Sequence, residues 1–200
     1  MLAYIKGTLS LTTNEYAVIE AGGLGYKVFM PETAIEKLGK IGSQVKVHTY
    51  YRVREDDISI FGFNTLEELR MFELLLSVSG VGAKTAVVII STIEPSDFAL
   101  AVISEDISEL VKIPGIGKKS AQRIVLELKD KLKKEAISIE TNDKVNTKVQ
   151  SNKYLEEAMS ALQVLGYNKK EIEKVFEKIN KDGLGIEDLI KQGLAALSKA

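Results

Sequence analysis

LLSVSGVGAKTA at residues 75–86 and LVKIPGIGKKSA at residues 110–121 align without a gap at an offset of 35 residues. Gly80 falls on Gly115, Gly82 on Gly117, Lys84 on Lys119 and Ala86 on Ala121. Each copy reads as a helix, then hydrophobic-x-Gly-hydrophobic-Gly, then a second helix opening with Lys and a small hydroxylated residue. This is the helix-hairpin-helix pattern, present twice. Two glycines around an apolar residue meant for burial, Val81 or Ile116, permit a tight turn and leave no side chain between the backbone and a ligand. Amide N–H groups are thereby exposed at the start of the following helix, where unpaired donors and the helix dipole favour an anion. A phosphate fits, with Lys84 in the first copy and Lys118, Lys119 and Arg123 in the second as counter-charge. Such contacts position a duplex without reading its bases, so the expected binding is sequence-independent and salt-sensitive. The plainer reading of one copy is a tight αα-turn beside a solvated lysine. Packing does not require lysine to recur beside the same glycines, and the repeat weighs against that reading.

PGIGKKS also has the look of a nucleotide-binding P-loop, but the position that must be the first glycine is Lys112, and Lys119 stands where Ser or Thr is required. No ATP site is expected, and no cofactor.

On the amino-terminal side, short alternating patterns at residues 4–9, 16–20, 26–30, 45–51 and 58–61 read as strands punctuated by glycines. A short helical pattern at 31–38 falls between the third and fourth, which is the element order of an OB-fold barrel. From Asn64 the period becomes helical through Leu66, Leu69, Phe72, Leu75 and Leu76, and it continues to a charged helix at 119–134. Residues 135–152 are polar and aperiodic, the composition of a flexible linker. Beyond them, helix-length patterns at 154–165, 169–179 and 186–197 are separated by turns at Gly166-Tyr167-Asn168 and Asp182-Gly183. The expected fold is a multi-domain α+β chain. A five-stranded OB-fold barrel (1–63) precedes an all-α tandem helix-hairpin-helix domain (64–134), a linker (135–152) and a three-helix bundle (153–200).

The composition narrows the function. There is no cysteine, which excludes disulfides, thiolate chemistry and cysteine-ligated zinc, and His48 as the single histidine leaves no His-rich metal site. His48 sits in a strand pattern and is assigned no role; no metal is expected. No apolar run is long enough to span a bilayer and the first residues lack a basic, apolar leader pattern, so the expectation is a cytoplasmic protein with no membrane contact. A net charge of −1 leaves nothing basic overall. Basic and acidic residues number 7 and 7 in 1–63, 10 and 10 in 64–134, and 10 and 11 in 135–200. Charge must therefore be sorted by face rather than by domain, with a basic concave surface and a central acidic spot.

Glu55-Asp56-Asp57 follow Arg52 and Arg54 in the turn between the fourth and fifth strands. In a generic protein they are a solvated hairpin tip. If barrel and helical domain face the same DNA, they instead repel its phosphates and can hold duplex ends apart.

Taken together, VREDDISIFGF, the motifs SGVGAKTA and PGIGKKSAQRIVLELKDK, and ALQVLGYNKKE resemble the RuvA family of Holliday-junction-binding proteins over the whole chain. The resemblance implies a fourfold homotetramer, or two stacked face to face as an octamer, on an open four-way DNA junction. It implies an acidic pin at Glu55 and Asp56, with Asp57 an extra acid of open role. Phosphate contacts are implied at Gly80, Val81, Gly82, Lys84, Gly115, Ile116, Gly117, Lys118, Lys119, Arg123 and Arg54. The last domain is implied to engage a RuvB-type AAA+ ATPase motor, with Leu165, Gly166 and Tyr167 as an exposed apolar contact; the plainer reading is that Leu162, Leu165 and Tyr167 build the core of a small bundle. Whether a junction resolvase is a further partner is left open. The chain itself is then non-catalytic.

Two rivals stand beside this. One is a structure-specific nuclease holding magnesium on Glu55, Asp56 and Asp57, although consecutive residues of one hairpin cannot all point inward. The other is a duplex-binding accessory subunit with no preference for junctions.

Overall fold

The computed structural model describes residues 2–137, 151–179 and 184–198. Residues 138–150 of the expected linker and the expected turn at Asp182-Gly183 lie outside the described residues. Two compact units are formed, residues 1–73 with 83–92, and residues 74–82 with 93–200.

In the first unit, β1 (Tyr4–Thr12), β2 (Tyr16–Ala21), β3 (Leu24–Phe29), β4 (Gln44–Val53) and β5 (Ile58–Phe63) close into a barrel in the order β1-β2-β3-β5-β4. All pairings are antiparallel except β3 with β5, which is parallel. The connection between β3 and β4 carries α1 (Glu32–Glu36), so the expected OB order holds. Inward positions follow the two-residue period: Ile5, Leu9, Ala17, Ile19, Val28, Val45 and Val47 form the core. β1 runs three residues past its expected end because a bulge between Leu9 and Leu11 breaks the alternation, leaving Leu9 buried and Leu11 exposed.

α2 (Leu66–Leu76) opens with a capping box. Glu68 N donates to Thr65 Oγ1 at 3.2 Å, while the Glu68 carboxylate accepts from Asn64 N at 2.8 Å and Thr65 N at 3.3 Å. Phe72 then drops onto the outside of the barrel, its ring centroid 4.9–5.3 Å from those of Phe63, Phe61 and Tyr50. Fully burying such an aromatic residue stabilises by about 1.5–3 kcal/mol. α3 (Ala83–Thr92) also belongs to this unit and packs near α1.

The second unit holds α4 (Pro95–Ile103), α5 (Ile107–Val111), α6 (Lys118–Ile137), α7 (Ser151–Val164), α8 (Lys169–Phe176) and α9 (Ile186–Leu197). α4 is its hub. Its Phe98, Ala99, Ala101 and Val102 are buried, and α5, α6, α7 and α9 all pack against it. Among the described residues no single helix is long and apolar enough to cross a membrane.

Candidate nucleic-acid interface

The two hairpins close in the same way. Gly80 and Gly115 adopt φ of +82° and +81°, a left-handed conformation that costs an L side chain about 1–2 kcal/mol. Val81 N donates to Val78 O at 3.1 Å and Ile116 N to Ile113 O at 3.0 Å, and all four side chains are buried. Gly82 and Gly117 differ from their partners: neither has a positive φ, and a Cβ on either would meet nothing within 4 Å. The expectation that both glycines serve the turn therefore holds for the first of each pair only. The second keeps the backbone bare, and its amide has no acceptor among the described residues. These are the amides that lead into α3 and α6, where the helix dipole favours an anion.

Lys84, Lys118 and Lys119 stand in the first turns of these helices, exposed and without an ion-pair partner among the described residues. Arg123 was expected to serve its own copy. Its guanidinium lies instead at the first hairpin, donating from Nη1 to Ser79 O at 3.3 Å, 3.1 Å from where a Cβ on Gly80 would sit. One helical turn further on, the Glu127 carboxylate accepts from Ser79 N at 2.9 Å. α6 thus grips both main-chain polar groups of the residue before Gly80. Lys118 and Lys119 begin the same helix, about 7 Å along its axis from Arg123, so α6 places Arg123 at the first hairpin and two lysines at the second, while Lys84 stands on α3.

On the barrel, β4 and β5 are joined by a four-residue turn closed by Arg54 N donating to Asp57 O at 2.8 Å. All four residues are exposed. The Asp57 carboxylate is turned back along the ribbon, accepting from Ser59 Oγ and lying 3.9 Å from Arg52 Nη1. Glu55 and Asp56 have no side-chain partner among the described residues. The acids therefore divide: Asp57 belongs to the turn, and two carboxylates stand free at the tip. Among the described residues no three acidic or histidine side chains are grouped to hold a metal ion.

Family models match in three consecutive blocks: the RuvA N terminal domain over residues 1–62, a SAM-like helix-hairpin-helix tandem over 72–130, and the RuvA C-terminal domain over 154–198. A protein of Ruminiclostridium cellulolyticum called "Holliday junction branch migration complex subunit RuvA" is 48 % identical across 98 % of this chain and all of its own. The chain belongs to the RuvA family. Proteins of the same name from Acetivibrio thermocellus and a Thermoanaerobacter species are 47 % and 43 % identical over the full length of both chains.

In the part that matches the RuvA C-terminal domain, one expectation fails. Leu165 and Tyr167 do not form an exposed apolar turn: both are buried, and Gly166 alone is exposed. The turn is a helix terminus, with Gly166 at φ +80°, Gly166 N donating to Gln163 O at 2.8 Å and Tyr167 N to Leu162 O at 3.2 Å. This Schellman geometry folds the flanking apolar side chains inward against the core of the module.

Ser79 and Glu127 are the site residues that reading the sequence missed. A signal was available, because the positions equivalent to Arg123 and Glu127 in the first copy are Val88 and Thr92. A charged pair one turn apart in only one copy marks a task the repeat does not share.

Proposed function

We propose that this chain binds four-way (Holliday) junction DNA without regard to sequence and holds it open. It serves as a non-catalytic subunit that recruits and stimulates a RuvB-type ATPase for branch migration in recombination and repair. The observation that carries this is the pair of glycine turns with matching φ and matching closing hydrogen bonds, whose second-glycine amides, Gly82 and Gly117, have no partner among the described residues. Two phosphates are held there, with Lys84, Lys118, Lys119 and the remaining donors of Arg123 as counter-charge, and with Arg54 on the barrel side. Each phosphate neutralised contributes a slope of about −0.9 to log affinity against log salt. Replacing Lys118 or Lys119 by Ala then weakens binding equally on all sequences and reduces the slope by about one per site lost.

Glu55 and Asp56 act as the repulsive pin. A carboxylate 4 Å from a phosphate charge costs about 1 kcal/mol in water and about 4 kcal/mol at an effective dielectric of 20, falling off over about 8 Å in physiological salt. That is enough to keep phosphates from the tip without abolishing binding held by the hairpins. Freedom of these two carboxylates, against the engagement of Asp57, also disfavours the nuclease reading, which needs several acids on one ion.

The assignment divides the chain into a pin-bearing barrel (1–63), a DNA-holding domain (64–134), a connecting segment (135–152) and a motor-contacting module (153–200). The working form is a cytoplasmic homotetramer, or two tetramers face to face, on one junction. Titrating the protein against a synthetic four-way junction and a linear duplex of equal length, without ATP or metal, tests the reading. A strong, salt-sensitive preference for the junction is expected. Equal affinity for both would leave a duplex-binding helix-hairpin-helix protein, and clean cleavage in magnesium would make it a nuclease. Deleting residues 153–200 should abolish stimulation of the motor while junction binding persists.

A further inference from the structure

The β4–β5 ribbon carries apolar residues where a solvated turn needs none. Val53 and Ile58 are directly paired across the strands, and they are 61 % and 63 % exposed. Their exposure follows from the register. Val45, Val47 and Thr49 of β4 point into the barrel and are buried, and Tyr51 and Val53 continue that row. β1 pairs with β4 only as far as Tyr4 with His48, and β3 pairs with β5 only from Val28 with Ile60. The pairs Arg52 with Ser59 and Val53 with Ile58 thus extend past the barrel as a two-stranded ribbon with no third strand paired to it among the described residues. Its inward row has outrun the core it would have joined.

Directly above that uncovered pair lies the turn with its two free carboxylates, Glu55 and Asp56. A surface that combines them selects its partner. Phosphates are repelled by the tip, and a second copy seated on the same patch brings the same two acids against these. Base faces are uncharged and apolar, and pairs flanking a crossover lack a stacking neighbour on one side. Apolar side chains inserted at such steps are a recurrent device for holding DNA in an opened form.

We propose that Val53 and Ile58 form an apolar wedge that packs against the bases flanking the crossover while Glu55 and Asp56 hold the sugar-phosphate strands apart. The wedge rests on the reading of this hairpin as facing the centre of a junction. Its test uses a four-way junction with 2-aminopurine beside the crossover, whose emission rises on unstacking. The full-length protein is compared with the V53T/I58T double variant, which stays β-branched, and with V53I/I58V, which stays apolar. Wild type and V53I/I58V should raise the emission; V53T/I58T should lose at least about half of the rise. Junction affinity of V53T/I58T should change less than about threefold, because phosphate contacts dominate it. A full rise with V53T/I58T overturns the wedge alone. A change in sedimentation of V53T/I58T without DNA also overturns it, making the pair a contact between copies. If wild type shows no preference for the junction over the duplex, the junction reading falls and the wedge with it.

Discussion

The two glycine hairpins have the same backbone and reach it by different means. In the first, Ser79 precedes the glycine, and both its main-chain polar groups are held by α6 through Arg123 and Glu127. In the second, the equivalent residue is Pro114, which has no N–H to satisfy and has its φ already set. In the helix that follows the first hairpin, Val88 and Thr92 occupy the places of Arg123 and Glu127, and Thr92 Oγ1 donates to the carbonyl of Val88 on its own helix. A local turn can thus be held by chain chemistry or by a tertiary clamp, and the clamp links one hairpin's geometry to the helix that follows the other.

Substitutions can break this comparison, the largest effect coming from what the copies share. Ile116→Ala removes the buried plug beneath the second turn and should cost about 2–5 kcal/mol in denaturant unfolding. A loss well below that would mean the turn collapses without strain. Gly82→Ala and Gly117→Ala should each weaken junction binding about tenfold or more, the worth of a hydrogen bond to a charged group. Melting should move little, since both sites have room for a methyl; a large melting shift with unchanged affinity would reassign these glycines to packing.

Gly80→Ala and Gly115→Ala reverse that profile, at about 1–2 kcal/mol of stability each for the left-handed φ. Gly80→Ala should also displace Arg123, an effect Gly115→Ala cannot have. Glu127→Ala leaves Ser79 N–H without its acceptor and should cost about 1 kcal/mol or less, with faster hydrogen exchange at Ser79 and no change at the second hairpin. Unchanged exchange at Ser79 would remove the clamp from the account.

The smallest effect concerns α5, the short helix leading into the second hairpin. Asp106 caps it, accepting from Ser108 Oγ and, at 3.1 Å, from Glu109 N. The Ser108 hydroxyl first, then the Glu109 amide, hold its carboxyl below the ordinary value of 3.8. A depressed carboxyl supports the fold above that value, and the support is lost as pH falls below it. Protection of the second hairpin's amides should therefore decline in acid below about pH 4, and Asp106→Asn should flatten that decline.

What the sequence determined by itself was whatever depends on neighbours in the chain. The doubled Gly-x-Gly, the strand period, the order of elements and the acidic turn were legible because turns, caps and alternation are short-range effects. At Leu165-Gly166-Tyr167 the family resemblance implied an exposed contact, whereas the residues themselves also allowed the buried core that is found. Apolar residues around a glycine read equally well as an exposed contact or as a helix terminus, and only packing against the rest of the module separates the two. Tertiary structure alone decided the remainder: the parallel closure of β3 on β5, the reach of Arg123 and Glu127 back to Ser79, and the length by which β4 and β5 outrun the barrel. Each depends on contacts between residues tens of positions apart, where one side chain satisfies a distant backbone group or fails to find a covering strand. No local period records which of those outcomes the chain will reach.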